Sequence, residues 1–413
     1  MRYALIILVC LAAGCVSALD PVVYPDVETE WRALGIKSLV SKQKDVVTGV
    51  YAVEAGAVYL GDTVAIRYDG DRVAMYSAAN VVFVSGFVGI RDSTARILAV
   101  YRAVTGSLVG RLDVSSVAND GMKDLGNGVG QGRDLTFIGT LEVNGVTVSV
   151  RLVKKGLINT RLRGFTIIAH RGGGRNSERL GYSENSIEMM RFASRLGATA
   201  IEIDVQMTKD GIPIIFHDPT FTSRTVQSSY IIGPVENYTL TQIRSATRLI
   251  YGEQIPTLRE VLRTVVDSTN LTMVWLDVKQ VRVIDSILIL TKEINDYAKG
   301  KRNKFEVLFG IPDESVLNRY LESPFAGTVP VLCELDIEAV RKVNASVWAP
   351  RFTAGIQSDV VKQMQAEGRR VFVWTLDDEA FVRRYLEADV FDGILTNYPT
   401  MLAAMFYSRG VRF

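Results

Sequence analysis

The side chains best suited to chemistry lie in short apolar runs in the second half of the chain. Its 413 residues include only two histidines, His170 and His217. Three acids, Glu202, Asp204 and Asp277, lie within or at the end of other apolar runs. An imidazole can take up or release a proton near neutral pH, and carboxylates buried together are costly unless a cation neutralises them. These residue types are typical of metal-assisted acid–base chemistry.

The acids predict one hard divalent cation, Ca²⁺ or Mg²⁺, bound by carboxylate oxygens. Zinc would be expected to recruit histidine or cysteine, and cysteine is sparse in this chain: Cys10, Cys15 and Cys333. Taken singly, a histidine at a strand end is often structural, and a Glu-x-Asp pair often faces solvent. Because such residues recur at the ends of several runs, the sequence favours one shared site.

The elements that must position these residues begin at residue 165, where strand-like runs alternate with amphipathic helical stretches. Between the runs ending at Val205 and beginning at Ile212 lie only six residues, too few for the crossover that parallel neighbours require. The run ending at Phe216 is therefore expected to be the return arm of a hairpin. The remaining runs number eight and span about 250 residues, which predicts a (β/α)8 TIM barrel.

Active sites in such barrels lie at the carboxyl ends of the strands, and polar residues recur there in this chain. They include Arg171 directly after the first run, Lys279 after a later one, and Trp374 near the end of another.

The hairpin also predicts a register. A turn centred on residues 208–211 would pair Met207 with Ile212 and place Glu202 opposite His217, on the same side as Asp204.

The first half of the chain is β-rich and carries no catalytic pattern. Short runs of Val, Ile and Tyr alternate with turns, and the Asp69-Gly70-Asp71 and Asn144-Gly145 segments are strong hairpin signals. The spacing predicts an antiparallel sandwich or barrel of about 120 residues. The glycine-rich segment 119–134 lacks the spacing of a calcium loop or a nucleotide loop, so a flexible loop is expected there.

The first 19 residues have the pattern of an export signal: Arg2, then an apolar stretch too short to span a bilayer comfortably. Small residues before Cys15 resemble a bacterial lipoprotein signal, which would attach the protein to a membrane through a lipidated Cys15. Val16-Ser17-Ala18 offers an ordinary cleavage site instead, and a retained anchor or buried helix is the third alternative. The chain is therefore expected to be exported, as a periplasmic or cell-envelope lipoprotein if bacterial and otherwise secreted.

Three units are expected: a signal at residues 1–19, a β-rich domain at 20–160 and a barrel at 161–413. Hydrophobic residues make up 48% of the chain and charged residues 22%, which excludes a disordered protein. A formal net charge of +2 gives no sign of the basic surface that nucleic-acid binding requires. We expect a small-molecule partner and infer no protein partner.

Five segments of the second half form an ordered series of motifs: residues 168–172, 184–185, 200–220, 373–375 and 392–399. In this order they resemble the motif series of the glycerophosphodiester phosphodiesterases. The resemblance covers about residues 165–413 and leaves out the β-rich half. It implies a TIM-barrel enzyme that hydrolyses glycerophosphodiesters, the deacylated head-group products of phospholipids, to an alcohol and glycerol 3-phosphate.

By this resemblance, His170 and His217 form the acid and base pair, without an assignment of which is which. The nucleophile is either water or the neighbouring glycerol hydroxyl. Arg171 and Lys279 would contact the phosphate. The implied metal ligands are Glu202, Asp204 and Asp277, and the implied substrate-binding residues are Arg171, Lys279, Glu184, Asn185 and Trp374.

The chain departs from the family pattern at four positions. Asp277 stands where glutamate is common, Asp377 replaces a frequent asparagine, and Asn397 replaces a frequent aspartate. Ser183 replaces a customary proline, which is expected to loosen the first loop slightly. These changes bear on metal identity and substrate fit more than on the reaction class.

Two other functions fit the same barrel. Relatives resembling sphingomyelinase D or phosphatidylinositol-specific phospholipase C cleave intact lipids and would benefit from an apolar rim, for which the strand-end loops show no obvious aromatic cluster. A surface binding protein could keep the barrel without turnover, but it would be expected to lose a histidine or a metal carboxylate.

Overall fold

The computed structural model describes residues 22–159, 164–227, 230–302 and 304–411. The predicted signal at residues 1–19, including Cys15, lies outside the described residues. The predicted division of the chain at residue 160 also falls in a segment outside them.

The first half of the chain forms one antiparallel sheet that closes into a barrel. Its strands are β1 (Lys37–Ser38), β2 (Gly49–Ala55), β3 (Thr63–Asp69), β4 (Arg72–Ser77), β5 (Val82–Arg91), β6 (Thr94–Ala103), β7 (Leu108–Ser116), β8 (Thr136–Val143) and β9 (Val146–Gly156). From β2 to β9 each strand pairs with the next, and β9 pairs back with β2; β1 adds to β5. The expectation of a sandwich or a barrel is therefore resolved as a barrel.

Both predicted hairpin turns are present in this barrel. Asp69 pairs with Arg72, and Val143 pairs with Val146. At the second turn, Asn144 has φ +49° and Gly145 φ +79°. Two successive positive φ values are what a type I′ turn requires, and Asn-Gly tolerates them best.

Alternating inward-facing side chains fill the barrel, as expected for eight strands. Tyr51, Ile66, Leu112 and Phe137 are among these buried residues. The accompanying helices are α1 (Val27–Leu34), α2 (Ser41–Val47), α3 (Ala57–Leu60) and α4 (Asp120–Asn127).

The expectation of a flexible loop at residues 119–134 was wrong, because part of this segment forms the helix α4. Asn119 caps this helix by accepting a hydrogen bond from the Met122 N–H at 2.9 Å. Met122 and Leu125 are buried on its inner face. The cap and these apolar contacts outweigh the low helix propensity of the glycines.

The second half of the chain contains a closed parallel barrel. Its strands and short hairpin strands are β10 (Thr166–Ala169), β11 (Ala200–Met207), β12 (Pro213–Ile215), β13 (Thr220–Phe221), β14 (Gly233–Pro234), β15 (Met273–Val278), β16 (Glu306–Ile311), β17 (Val331–Cys333), β18 (Val347–Trp348), β19 (Arg370–Val373) and β20 (Gly393–Thr396). The sheet runs β10-β11-β15-β16-β17-β18-β19-β20 and closes by pairing of β20 with β10. β12 pairs antiparallel with β11, which confirms the hairpin arm and the TIM-barrel fold.

Helices cover the outside of this barrel, and the alternating pattern predicted most of them. They are α5 (Ile187–Ala193), α6 (Leu240–Ala246), α7 (Leu258–Ser268), α8 (Ile284–Lys299), α9 (Glu314–Glu322), α10 (Ile337–Lys342), α11 (Ser358–Ala366), α12 (Glu379–Ala388) and α13 (Pro399–Ser408). The sequence did not predict α6, α13 or the β13–β14 hairpin. α6 and the hairpin lie between β12 and α7 and pack around Phe216 and Phe221.

The predicted hairpin register was wrong by one residue. Met207 pairs with Pro213, not with Ile212, and the Thr208 N–H donates to the Ile212 carbonyl at 3.1 Å. The loop has three residues because Gly211 adopts φ +77° and adds one position. Because β12 ends before His217, the ladder does not place that histidine opposite Glu202.

The two barrels pack against each other through α13. Tyr407 of this helix stacks on Tyr76 of β4 with ring centroids 6.2 Å apart, and Arg67 of β3 donates to the Tyr407 hydroxyl. Phe83 of β5 also meets Phe192 of α5 edge-on at 5.5 Å. One continuous apolar cluster therefore includes residues from both barrels.

Within the described ranges, every helix is too short or too polar to cross a lipid bilayer.

Candidate active site

A cleft of about 490 Å³ opens at the carboxyl ends of the parallel strands. β10 ends before His170 and Arg171, β11 carries Glu202 and Asp204, and β15 carries Asp277. His170 and Arg171 thus lie in the turn that follows a buried strand. The three acids are fixed within two buried strands of the barrel wall, which hold them more firmly than a surface loop would.

The three predicted acids meet in this cleft. One ligand oxygen from each of Glu202, Asp204 and Asp277 lies within 4.8 Å of the others. Among the described residues, Glu202 Oε1 and Asp277 Oδ1 are buried without a hydrogen-bond partner. Burial, together with the neighbouring acids, raises the pKa of Glu202 well above its usual value. Unpartnered, converging carboxylate oxygens fit a hard divalent cation such as Ca²⁺ or Mg²⁺.

Lys279 shares the carboxylates of this cluster. Its Nζ lies 3.0 Å from Asp204 Oδ1 and also contacts Asp277 Oδ2. Burial opposes the charge on Lys279, but the three acids outweigh it and raise the pKa of its ammonium group. Burial likewise opposes ionisation of Asp204, yet Lys279 and the nearby cationic groups lower the pKa of Asp204 to about 2. Asp204 is therefore ionised at neutral pH.

His170 is held by a neutral amide. Its Nδ1 lies 2.8 Å from Asn397 Oδ1, and the Asn397 amide nitrogen donates to Asp377 at 2.6 Å. Because Asp377 accepts from Asn397, the amide oxygen is the group that faces the imidazole, so Nδ1 carries the proton. Nε2 then faces Glu202 Oε2 at 3.7 Å. Burial, reinforced by Arg171, lowers the pKa of His170 to about 4.

His217 is held by a carboxylate. Its Nδ1 lies 2.7 Å from Asp218 Oδ1, and Arg171 Nη2 lies 2.7 Å from its Nε2. A guanidinium can only donate, so Nε2 accepts and Nδ1 carries the proton. Arg224 binds both oxygens of Asp218 and fixes this carboxylate in place.

The loop between β10 and α5 supplies the cationic side of the cleft. Arg171 Nη1 donates to Glu184 Oε1 at 2.9 Å, and Glu184 is 2% exposed. Asn185 donates through Nδ2 to Asp204 Oδ2 at 2.8 Å, which ties the loop to the acidic cluster. Ser183 donates to Glu253 at 2.6 Å, a contact that opposes the loosening expected from the absent proline.

Trp374 also lines the cleft. Its indole N–H donates to the Ala349 carbonyl at 2.8 Å, and the Arg351 guanidinium lies 4.5 Å from the ring centroid. The structure therefore brings the predicted residues Glu184, Asn185 and Trp374 to the cleft or to its immediate support.

Sequence reasoning missed several residues of the cleft. Glu334 follows β17 and burial raises its pKa to about 8, while Asp313 follows β16 and Arg351 follows β18. The strand-end position was the available signal for all three. Asp218 and Arg224, which support His217, lie beyond the hairpin arm where no periodic pattern singles them out.

A family model described as the "Glycerophosphoryl diester phosphodiesterase family" matches residues 170–309 and 314–401. The matched segments contain every predicted site residue and leave out the N-terminal barrel.

Curated proteins and solved structures are similar over the same part of the chain. A glycerophosphodiester phosphodiesterase of Caldanaerobacter subterraneus subsp. tengcongensis is 29% identical over 259 residues, covering 59% of this chain and 98% of that protein. Human glycerophosphodiester phosphodiesterase 1 is 38% identical over 123 residues, covering 28% of this chain and 34% of that protein. A crystal structure of a glycerophosphodiester phosphodiesterase from Thermotoga maritima is 21% identical, with a TM-score of 0.44, and covers 57% of this chain and 96% of that chain.

Proposed function

Because the chain belongs to the glycerophosphoryl diester phosphodiesterase family, we propose that it is an exported, metal-dependent enzyme of this activity. It would hydrolyse glycerophosphodiesters to an alcohol and glycerol 3-phosphate, with His170 and His217 as the acid and base pair. The observation that carries the proposal is the cluster of three carboxylates bordered by two imidazoles, each held through Nδ1.

Each part of the reaction has a candidate group in the cleft. Arg171 and Lys279 lie where they can neutralise the phosphoryl oxygens of a bound diester. The two imidazoles can accept the proton of the attacking hydroxyl and protonate the departing alkoxide. A Ca²⁺ or Mg²⁺ ion held by Glu202, Asp204 and Asp277 would add Lewis-acid stabilisation of the phosphoryl charge.

The rim of the cleft favours a water-soluble substrate over an intact lipid. Asp313, Glu334 and Arg351 all line the far side. Acyl chains would have to displace the hydration of these polar groups, whereas a glycerol or head-group hydroxyl can hydrogen-bond to them. We therefore propose a deacylated glycerophosphodiester as the substrate.

Export rests on the sequence of residues 1–19 and on the position of Cys15. We propose a cell-envelope lipoprotein, anchored through a lipidated Cys15. Metabolic labelling with a palmitate analogue, compared with a Cys15→Ala variant, tests this. An unlabelled but exported protein would instead support cleavage after Ala18.

The activity is tested with purified protein lacking residues 1–19, incubated with glycerophosphocholine and glycerophosphoethanolamine. Glycerol 3-phosphate release is expected to stop in excess chelator and to return when Ca²⁺ or Mg²⁺ is added. If folded protein supplied with metal releases no glycerol 3-phosphate, it would be assayed next on sphingomyelin and phosphatidylinositol. Hydrolysis there would replace the proposed substrate, and inactivity there would favour a binding protein.

Replacing Asp377 with asparagine is expected to lower kcat by about 10- to 100-fold, as is typical for a residue that orients an active-site ligand. Asparagine has only one accepting oxygen, and when that oxygen keeps the bond from the Asn397 backbone N–H, its NH2 group faces the Asn397 side-chain amide in place of Oδ2. The Asn397 amide can then turn its nitrogen toward His170 Nδ1 and favour the wrong tautomer. Steady-state kinetics of glycerol 3-phosphate release measure the effect.

Two further variants control this prediction. Asp378→Asn alters the adjacent carboxylate, which only caps α12, and asparagine caps a helix equally well, so kcat should not change. The double variant Asp377→Asn with Asn397→Asp restores a complementary pair and should recover most of the activity. A double variant as impaired as Asp377→Asn would contradict the orientation argument.

A further inference from the structure

A buried arginine of the N-terminal half of the chain contacts the β10–α5 loop, which carries Arg171 and Glu184. Arg102 of β6 is fully buried, at 0% exposure. Its Nη2 donates to the carbonyl oxygens of Glu178 and Arg179, at 3.2 and 3.1 Å. The Tyr24 hydroxyl donates to the next carbonyl, that of Leu180, at 2.9 Å. Three successive carbonyl groups of the β10–α5 loop are thus held by residues outside the catalytic barrel.

Burying a cation in this interface costs free energy. Burial lowers the pKa of Arg102, and within the described chain its hydrogen bonds go to carbonyl oxygens and to the Tyr24 hydroxyl. Its Nε is buried without a hydrogen-bond partner in the described part of the chain, and an apolar side chain would pack the same space at lower cost. The arginine therefore indicates a requirement to hold the loop carbonyls.

The loop needs an external support because its start is intrinsically flexible. Gly172, Gly173 and Gly174 follow Arg171 directly, and two of them have positive φ, +81° and +151°. Glycine loses more conformational freedom on ordering than any other residue. Contacts made further along the loop must therefore decide where it lies.

One residue connects the supported carbonyls to the catalytic groups. The Asn176 N–H donates to Glu184 Oε2 at 2.9 Å, and the Glu184 N–H donates back to Asn176 Oδ1 at 2.8 Å. Glu184 in turn holds Arg171, and Asn176 Nδ2 donates to the Arg224 carbonyl at 2.9 Å. A shift of residues 176–180 would therefore move both Arg171 and the residue that anchors the carboxylate partner of His217.

We propose that Arg102 is a positioning residue for catalysis, through which the N-terminal barrel sets the loop that carries Arg171 and Glu184. Tyr24 assists by holding the adjacent carbonyl. The inference rests on the proposed function for its kinetic consequence and assigns the N-terminal barrel a part in the reaction.

The test compares Arg102→Met with the unmodified protein by steady-state kinetics and by hydrogen–deuterium exchange. We expect kcat/KM to fall at least tenfold, because displacements of about 1 Å at catalytic groups can cost about 10²-fold. Exchange should rise in peptides covering residues 172–186. Arg102→Lys should recover part of the activity, since an ammonium group can still donate to one of the carbonyls.

Lys154→Met is the matched control. Lys154 is another buried cation of the same barrel, 1% exposed, but its Nζ donates to the Val46 carbonyl within that barrel at 2.5 Å. Its replacement should shift the melting temperature while leaving kcat/KM and loop exchange unchanged. An equal loss of kcat/KM in Lys154→Met would overturn the proposal, because the effect would then be general destabilisation.

The proposal would also be overturned if folded Arg102→Met kept kcat/KM within twofold of the unmodified protein and showed unaltered loop exchange. Should this variant not fold, Arg102→Lys and Tyr24→Phe take its place, and no change in either measurement for both would overturn the proposal. The exchange measurement separates this inference from the proposed function. An unmodified protein inactive on glycerophosphodiesters would contradict the proposed function. Increased exchange in Arg102→Met would still support the positioning of the loop by Arg102.

Discussion

His217→Ala is expected to lower kcat by about 10³-fold, within the range of about 10²- to 10⁴-fold typical of a positioned acid or base. The chain has only one other histidine, His170, and that imidazole is held on the opposite side by Asn397. The cavity left by the side chain would admit water, which donates and accepts protons less effectively at neutral pH. Initial rates of glycerol 3-phosphate release measure the loss, and circular dichroism checks that the variant is folded.

The same variant, beside His170→Ala, can assign the acid and the base. A p-nitrophenyl ester of glycerol 3-phosphate has a leaving group that departs without protonation. The variant that lacks the acid should recover most of its rate on this ester, and the variant that lacks the base should not. Equal recovery by both variants, or by neither, would argue against an acid and base pair.

Glu202→Gln is expected to lower the metal-dependent kcat/KM by about 10³-fold. The variant is also expected to lose the stabilisation of the fold by metal. The unmodified protein should gain about 2.7 kcal/mol of unfolding free energy at a metal concentration one hundred times Kd. Glutamine keeps the shape of Glu202 but removes one of three charges that converge within 4.8 Å. Thermal unfolding with Ca²⁺, Mg²⁺ or chelator measures this effect without reference to turnover.

Asp313→Asn is the matched control for this prediction. Asp313 lines the same cleft, but its carboxylate caps α9 by accepting from the N–H groups of Ser315 and Val316. Asparagine preserves a helix cap, so both fold and metal response should persist. A metal-induced rise in melting temperature that is unchanged in Glu202→Gln would contradict the assignment of the acids as ligands.

The catalytic barrel could be predicted from sequence because its determinants are local. Apolar runs, helix caps such as Thr257 and the short β11–β12 connection each follow from neighbouring residues. The family match confirms the resemblance read from the five motif segments. The predicted hairpin register was wrong because the conformation of Gly211 changes the loop length by one residue. The apolar pattern does not encode this conformation.

The supporting contacts of the site could not be predicted because they join residues far apart in the chain. Arg102 meets the carbonyls of residues 178 and 179 across 76 and 77 positions. The pairing of Asp377 with Asn397 was visible in the sequence only as two separate departures from a family pattern. Their hydrogen bond at 2.6 Å brings the two departures together in one contact.

The position of α13 has a consequence for the order in which the protein is made. Ribosomes synthesise the chain from its amino end, so the strands of both barrels emerge before this helix does. Until then Tyr76 of the first barrel and Phe165 beside β10 lack the rings of Tyr407 and Phe406 that later cover them. The apolar surface that α13 covers on both barrels therefore stays uncovered until this helix has been synthesised.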